Sequence, residues 1–349
     1  MVVKDARRHE VAGDEDGLRV DRWLRRRYPD VPQGKVEKMC RKGQLRVNGG
    51  RVKAGTRLQA GQQVRVPPVE GAEKDGADSG KALSDHDVDL IRKAVIYRDD
   101  HVIALNKPPG LPVQGGSGHL RHIDGMTSAL RFNLDEDPRL VHRLDRDTSG
   151  VLVLARTRLA AEGLSSAFRL RDACKTYWAV VAGVPKPRKG TIRYALVKAP
   201  GHGGCGRGEK MLCLHPNDAK STPGARHAAT DYSVVEVAGK RVAWVALAPL
   251  TGRTHQLRAH MAEIGHPIAG DGKYGGSRQE NAGSGWGAQI GGAVSRKLHL
   301  HSRSLSLKHP VTGATLNLVA PLPRHMARTW DLLQWRVEDA PEYPFEGYG

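Results

Sequence analysis

A chain of 349 residues exceeds one ordinary hydrophobic core and reads as about two domains. Its 55 Lys and Arg against 37 Asp and Glu leave a net charge of +18, which favours a polyanionic partner, nucleic acid first, while no stretch approaches the roughly 18 apolar residues of a membrane span. The four cysteines are scattered rather than laid out as a disulfide framework, and the start MVVKDARRHEVAGDEDG carries acids and no apolar segment, so no targeting peptide, a reducing compartment and a cytoplasmic location are expected.

Residues 1–16 read as an N-terminal tail. The surplus charge concentrates in residues 17–68, with fourteen basic residues against three acidic ones. Within it Val20, Trp23 and Leu24 recur at i, i+3, i+4, and after the Pro29 to Pro32 break Val36, Met39 and Cys40 repeat the pattern until Gly43 stops it. Two short helices are predicted. LRV (45–47), the turn Asn48-Gly49-Gly50, RVKAGTRL and QQVRV then alternate apolar with basic residues, as half-buried strands do. Helices packed on this small sheet leave Arg25, Arg26, Lys35, Lys38, Arg41, Lys42 and Arg51 outside, a surface of one sign suited to phosphate; a merely solvated charged face is the alternative. The segment resembles an S4 RNA-binding domain, including the join carried by Arg41, Gly43, Leu45, Val47 and Asn48. That resemblance implies binding of structured RNA through shape and phosphate contacts rather than base reading.

Residues 69–88 turn acidic, six acids against two lysines among small residues, which predicts a flexible linker. A second domain is expected over 89–335, with a C-terminal tail at 336–349. It opens with AVIYRDDHVIALNKPPG (94–110), two strands joined at Arg98-Asp99-Asp100 and closed by the stiff KPPG corner. Further strands are predicted at 152–155, 177–183, 230–239 and 242–250, and helices around 157–170 and 254–264. This spacing predicts an α+β domain with a large mixed, mainly antiparallel sheet.

The chemistry-bearing stretches are KPPGLPVQGG (107–116), HRLDRDTSGVLVLAR (142–156), KTYWAVVAG (175–183), LTGRTHQLRAHM (250–261) and GHPIAGDGKYGG (265–276). Alone, Asp145 between Arg143 and Arg146 could be the polar tip of a solvated turn. In this order, however, the stretches closely resemble the RluA-type family of RNA pseudouridine synthases, over nearly all of residues 94–322. The resemblance implies the pseudouridine synthase fold with a central cleft, preceded by an S4 domain, as in bacterial members that modify 23S ribosomal RNA of the large subunit. It also implies cofactor-free isomerisation of uridine in place. Asp145 matches the catalytic carboxylate, Tyr177 the tyrosine at the base, and Arg253 is taken as the ionic partner of Asp145. A guanidinium beside a carboxylate favours its charged form and fixes its direction. Arg143 and Arg146 are expected to hold RNA phosphates or the loop, Lys107 and His255 to contact the substrate, and Leu257 to wall the extruded base or, equally, to pack in the core. Arg258 and His260 are read as a basic helix facing RNA or solvent, Lys175 as a structural or phosphate contact, and Asp147 as part of the turn into strand 151–155.

Other signals are set aside. His202, Cys205, Cys213 and His215 lack the common zinc spacings and read as a basic glycine-rich loop, so no metal is expected. No P-loop occurs, HRLDRD has no accompanying DFG, and Ser149 lies in no G-x-S-x-G. The stretch 281–293 reads as a surface insertion. The expected partner is RNA, 23S ribosomal RNA or a ribosome precursor particle, bound by a monomer away from membranes. Transfer RNA as substrate, and a non-catalytic RNA-binding assembly factor, are the rival readings.

Overall fold

In the basic segment, apolar side chains at helical spacing meet apolar side chains at strand spacing, and that contact builds its core. The computed structural model describes residues 6–28, 31–69, 83–115, 121–200, 210–275, 294–342 and 344–345. The chain divides into two units, Met1–Ala82 and Leu83–Gly349.

The smaller unit contains β1 (Arg7–Glu10), α1 (Val20–Arg27), α2 (Gln33–Arg41), β2 (Arg46–Val47), β3 (Gly50–Arg51) and β4 (Gln63–Val66), its sheet ordered β1-β4-β2-β3. Val20, Trp23, Leu24, Val36, Met39 and Cys40 bury against Leu45, Leu58, Val64 and Val66. The seven basic residues named above are all exposed. Residues 7–15, expected as tail, are instead built into the unit. β1 pairs antiparallel with β4, covering an edge that would otherwise expose unpaired backbone groups. Glu15 is buried and accepts hydrogen bonds from the Trp23 indole at 2.8 Å and from Arg27 at 3.1 Å.

The larger unit begins with α3 (Asp85–Lys93), capped by Ser84, whose hydroxyl accepts from the Asp87 amide; this helix starts inside the segment expected as linker. It continues through β5 (Val95–Arg98), β6 (Val102–Lys107), β7 (Arg139–Leu140), β8 (Ser149–Ala155), α4 (Arg158–Leu170), β9 (Cys174–Ala182), β10 (Lys189–Lys198) and β11 (Met211–Leu214). Then come α5 (Pro216–Ala219), β12 (Arg226–Ala238), β13 (Val242–Pro249), α6 (Gln256–Glu263), β14 (Leu300–Lys308), β15 (Thr315–Val319) and α7 (Arg324–Leu333). The strands form one sheet of eleven, ordered β11-β10-β12-β13-β9-β14-β8-β6-β5, with β15 on β14 and β7 on β8. All pairs are antiparallel except β14 with β8. The α+β class and the large mainly antiparallel sheet are as expected.

Both faces of this sheet are covered, which is why its central strands are apolar on both sides. Tyr177, Ala179 and Val181 of β9 pack with Ala243, Val245 and Leu247 of β13 under Leu257 and Met261 of α6. The alternate residues Trp178, Val180, Val242 and Trp244 face the other way, onto Met326 and Trp330 of α7. At β6 and β8 the same alternation divides Ile103, Leu105, Leu152 and Leu154 from Val102, Ala104, Val151 and Val153.

Candidate active site

Asp145 sits in the loop between β7 and β8, and that loop is pinned from below. The Arg146 carbonyl accepts from the Gly110 amide at 2.9 Å and from the Lys107 ammonium at 2.8 Å. Lys107 is completely buried and gives its other two protons to the Pro108 and Leu111 carbonyls, at 3.0 and 2.9 Å. Burial pushes its pKa down to about 7 against the pull of Asp147 and Asp145, while three carbonyl acceptors match the three donors of the charged form. On the other side of Asp145, the Thr148 amide closes the turn onto the Asp145 carbonyl at 3.2 Å.

The carboxylate of Asp145 faces the first turn of α6. Arg258 Nη1 lies 3.7 Å from Asp145 Oδ2, and His255 Nε2 lies 4.0 Å from the same oxygen. Arg258 is itself fixed by a two-pronged pair with Asp271, Nε to Oδ2 at 2.7 Å and Nη2 to Oδ1 at 2.8 Å. Asp271 Oδ1 also accepts the Lys273 and Tyr274 amides, so the anchor is set in its own turn. Burial works against the Arg258 charge, but the Asp271 hydrogen bonds and the charges of Asp271 and Asp145 outweigh it, and its pKa is raised. Burial lowers His255 in spite of Asp145. The Tyr274 hydroxyl accepts from the Met211 amide at 2.9 Å and lies 3.0 Å from His255 Nδ1. Its own proton is then available to Nδ1, which leaves Nε2–H as the side of a neutral imidazole that faces Asp145.

These groups border a cavity of about 470 Å³ that spreads over the middle of the sheet. Tyr177 and Leu300 rise from β9 and β14, Asp145 and Thr148 from the loop before β8, and His255, Leu257 and Arg258 from α6 and its start. Burial pushes the Tyr177 phenol up to about 12, a hydrogen bond with Ser302 pulls the other way, and the Asp145 charge adds to the rise. A carboxylate, a locked guanidinium and a neutral phenol thus share one space, lined by polar and apolar side chains alike, of the size that small-molecule sites occupy.

The family described as RNA pseudouridylate synthase matches residues 101–263, and the S4 domain matches residues 18–64. "Ribosomal large subunit pseudouridine synthase C" of Salmonella typhi is 34% identical over 331 residues, covering 93% of this chain and 95% of that protein. The chain belongs to the RNA pseudouridylate synthase family. It also carries an S4 domain. The protein of the same name from Escherichia coli (strain K12) is 34% identical over 91% of this chain and 93% of its own. "RNA pseudouridine synthase 4, mitochondrial" of Arabidopsis thaliana is 35% identical over 91% and 80%. Among solved structures, "Human RNA Pseudouridylate Synthase Domain Containing 4" superposes with a TM-score of 0.57 at 30% identity, covering 71% of this chain and 95% of that one.

The geometry of this pseudouridine synthase revises several residue-level expectations. Arg253 lines the cavity but turns its Nε to the His227 carbonyl at 3.3 Å; the guanidinium at Asp145 belongs to Arg258. The cause is where α6 begins. Gln256 folds its side chain back to accept from Thr251 Oγ1 at 2.6 Å and the Arg253 amide at 3.1 Å, while His255 takes a left-handed φ of 52°. Arg253 therefore stays in the entry loop and Arg258 falls on the inward turn. Arg258 and His260 are buried rather than solvent-facing, His260 with its Nδ1 2.9 Å from Thr230 Oγ1. Lys107, expected at the substrate, is the fully buried staple described above. Arg143, Arg146, His255 and Leu257 do border the cavity, and Arg146 also pairs with Asp147 at 3.0 Å. Asp271 and Gln256 were not singled out by sequence reading, since neither stands out within its motif. His202 and Cys205 lie outside the described residues, as does 281–293; among the described residues no group of His, Cys, Asp and Glu is arranged to hold a metal, and no helix is long and apolar enough to cross a membrane.

Proposed function

We propose that this enzyme isomerises uridine at defined positions in the RNA of the large ribosomal subunit, in the cytoplasm and as a monomer, with Asp145 as its catalytic carboxylate. The carrying observation is that Asp145, held by Arg258, meets Tyr177 in one cavity. The substrate named for the Salmonella and Escherichia coli relatives supports the choice of RNA, the exposed basic surface of residues 25–51 suits a folded polyanion, and a single chain supplies every group of the site.

A uridine inside folded RNA is out of reach, so it unstacks and enters the cavity, where Leu257 and Leu300 offer apolar walls. The N1–C1′ bond breaks, the uracil turns, and the C5–C1′ bond forms. The proton on C5 leaves and N1 ends protonated, so no atom is gained or lost. Arg258, 3.7 Å away, directs the Asp145 carboxylate toward the reacting sugar and base, where it can act as nucleophile or electrostatic stabiliser. With its phenol held protonated, Tyr177 contributes a ring face and an O–H rather than a phenolate.

Asp145→Asn is expected to cut pseudouridine formation on a large-subunit RNA fragment by more than about 10³-fold while RNA binding stays within about threefold. Unchanged formation removes Asp145 from the chemistry. Mapping pseudouridines in cells with and without the gene assigns the substrate, and a loss confined to transfer RNA would reassign it.

A further inference from the structure

Two residues before Tyr177 on β9, Lys175 opens into the same cavity. Residues i and i+2 of a strand share a face and lie about 7 Å apart. That separation is of the order between a nucleobase and its nearest backbone phosphate. The sheet is also open there: β13 pairs with β9 from Tyr177 to Ala182 and no further, so the Lys175 stretch is flanked by β14 alone.

The charges around the cavity are unequal. Arg146 is paired with Asp147, Arg258 with Asp271, Arg253 leans on a carbonyl, and Arg143 is a solvent-exposed side chain at the border. The Lys175 ammonium sits 4.8 Å over the ring of Phe168. Among the described residues no carboxylate pairs with it. Phe168 is held in turn by His142, stacked at 4.2 Å between centroids, and His142 Nε2 accepts the Val153 amide at 2.9 Å. Burial, with the Lys175 charge adding to it, pushes His142 down to about 3, so the imidazole stays neutral. Burial also lowers Lys175. The result is a rigid aromatic rest carrying a partly dehydrated cation that faces the cavity without a counter-ion.

We propose that Lys175 seats a phosphate of the RNA backbone next to the uridine that enters at Tyr177, fixing the strand's register over Asp145. This rests on the reading that the target base occupies the cavity beside Asp145. Lys175 is thereby a substrate-positioning residue whose ligand is a phosphodiester, engaged when the RNA strand threads the opening between β13 and β9.

The test uses the full chain and an RNA fragment in which the wild-type enzyme forms pseudouridine. Copies carry one uncharged methylphosphonate at each phosphate flanking the target in turn. For the wild type, one such replacement is expected to raise KM about tenfold with kcat within about threefold. Lys175→Met should raise KM on unmodified RNA by a similar factor, lower the slope of log affinity against log salt by about one, and be insensitive to that same methylphosphonate. Lys175→Arg should restore the affinity. Additive losses in Lys175→Met and the methylphosphonate RNA overturn the proposal, as does a fall in kcat with KM unchanged. The wild-type series stands without any variant: if no flanking methylphosphonate changes KM, the seat does not exist. Should no RNA acquire pseudouridine at all, the function falls rather than the seat.

Discussion

At the scale of single residues the site is a relay of charge, Asp271 to Arg258 to Asp145, in which the middle member has strong grips on one side only. Its two short hydrogen bonds go to Asp271, and the 3.7 Å approach to Asp145 leaves that carboxylate room to act. Arg258→Lys keeps the charge but loses the fork that Asp271 holds. It should therefore lower kcat about 10²-fold with little change in KM, and Arg253→Lys should cost much less in kcat. Single-turnover measurements of both variants check this, and the reverse order would return the partnership to Arg253. Asp145 and Tyr177 were legible because their motifs place them by neighbours in sequence. The guanidinium was not. Two arginines five positions apart both satisfy a rule that a cation stands near the carboxylate, and only the Gln256 side chain, by fixing where α6 starts, chooses between them. Lys107 misled for a related reason: a lysine beside a glycine-rich corner reads as a substrate contact until its three buried carbonyl partners are seen.

Among elements, the decisive contact is the approach of β14 to the start of β8. Gly150 has a φ of +108°, and a methyl group there would run into the Ser302 carbonyl. Strain in the backbone and overpacking act together, so Gly150→Ala should destabilise the larger unit by about 3 kcal/mol. Activity should fall as well, because the strand that leaves the Asp145 loop and the strand whose Ser302 meets Tyr177 would be pushed apart. Denaturant titration of the variant measures the first effect, and an unchanged midpoint would refute it. Sequence patterning found β5, β6, β8, β9, β12 and β13; the apolar runs of β6, β8, β9 and β13 are long because both their faces are buried. β10, β14 and β15 escaped because polar residues interrupt their apolar ones: Lys189, Thr191 and Arg193 in β10, Ser302, Arg303, Ser304 and Ser306 in β14, Thr315 and Asn317 in β15. α7 escaped too, its inward set of Met326, Thr329 and Trp330 being too short a stripe to stand out. The turn into β8 was legible; the strand that makes Gly150 obligatory comes from 152 residues away.

For the whole molecule, net charge pointed to RNA, but the interior carries a second, hidden titration. His260, His299 and His301 have no exposed surface, and burial pushes them down to about 4, 3 and 4 from a value near 6.5. Each stays neutral in the folded chain and takes up a proton when the chain unfolds in mild acid. The unfolded state thus binds more protons below pH 6.5, and stability falls as pH drops from there toward 4, by at most about 1.4 kcal/mol per pH unit for each histidine. The thermal midpoint should decline clearly between pH 6.5 and 5, above the range where carboxylates titrate, and a flat profile would contradict the assignment. Such pairings, His299 with Thr329 and His301 with Ser149, join residues far apart in the chain and leave no local trace in it. The alternation of β9 has an optical corollary. Trp178 points away from the side that Tyr177 faces, and it gathers with Trp244, Trp330 and Trp335 beneath α7. Four of the six indoles are thereby insulated from the chemistry by the thickness of a sheet, so the emission of these four would track the seating of the C-terminal helix and stay nearly blind to whether a nucleotide is bound.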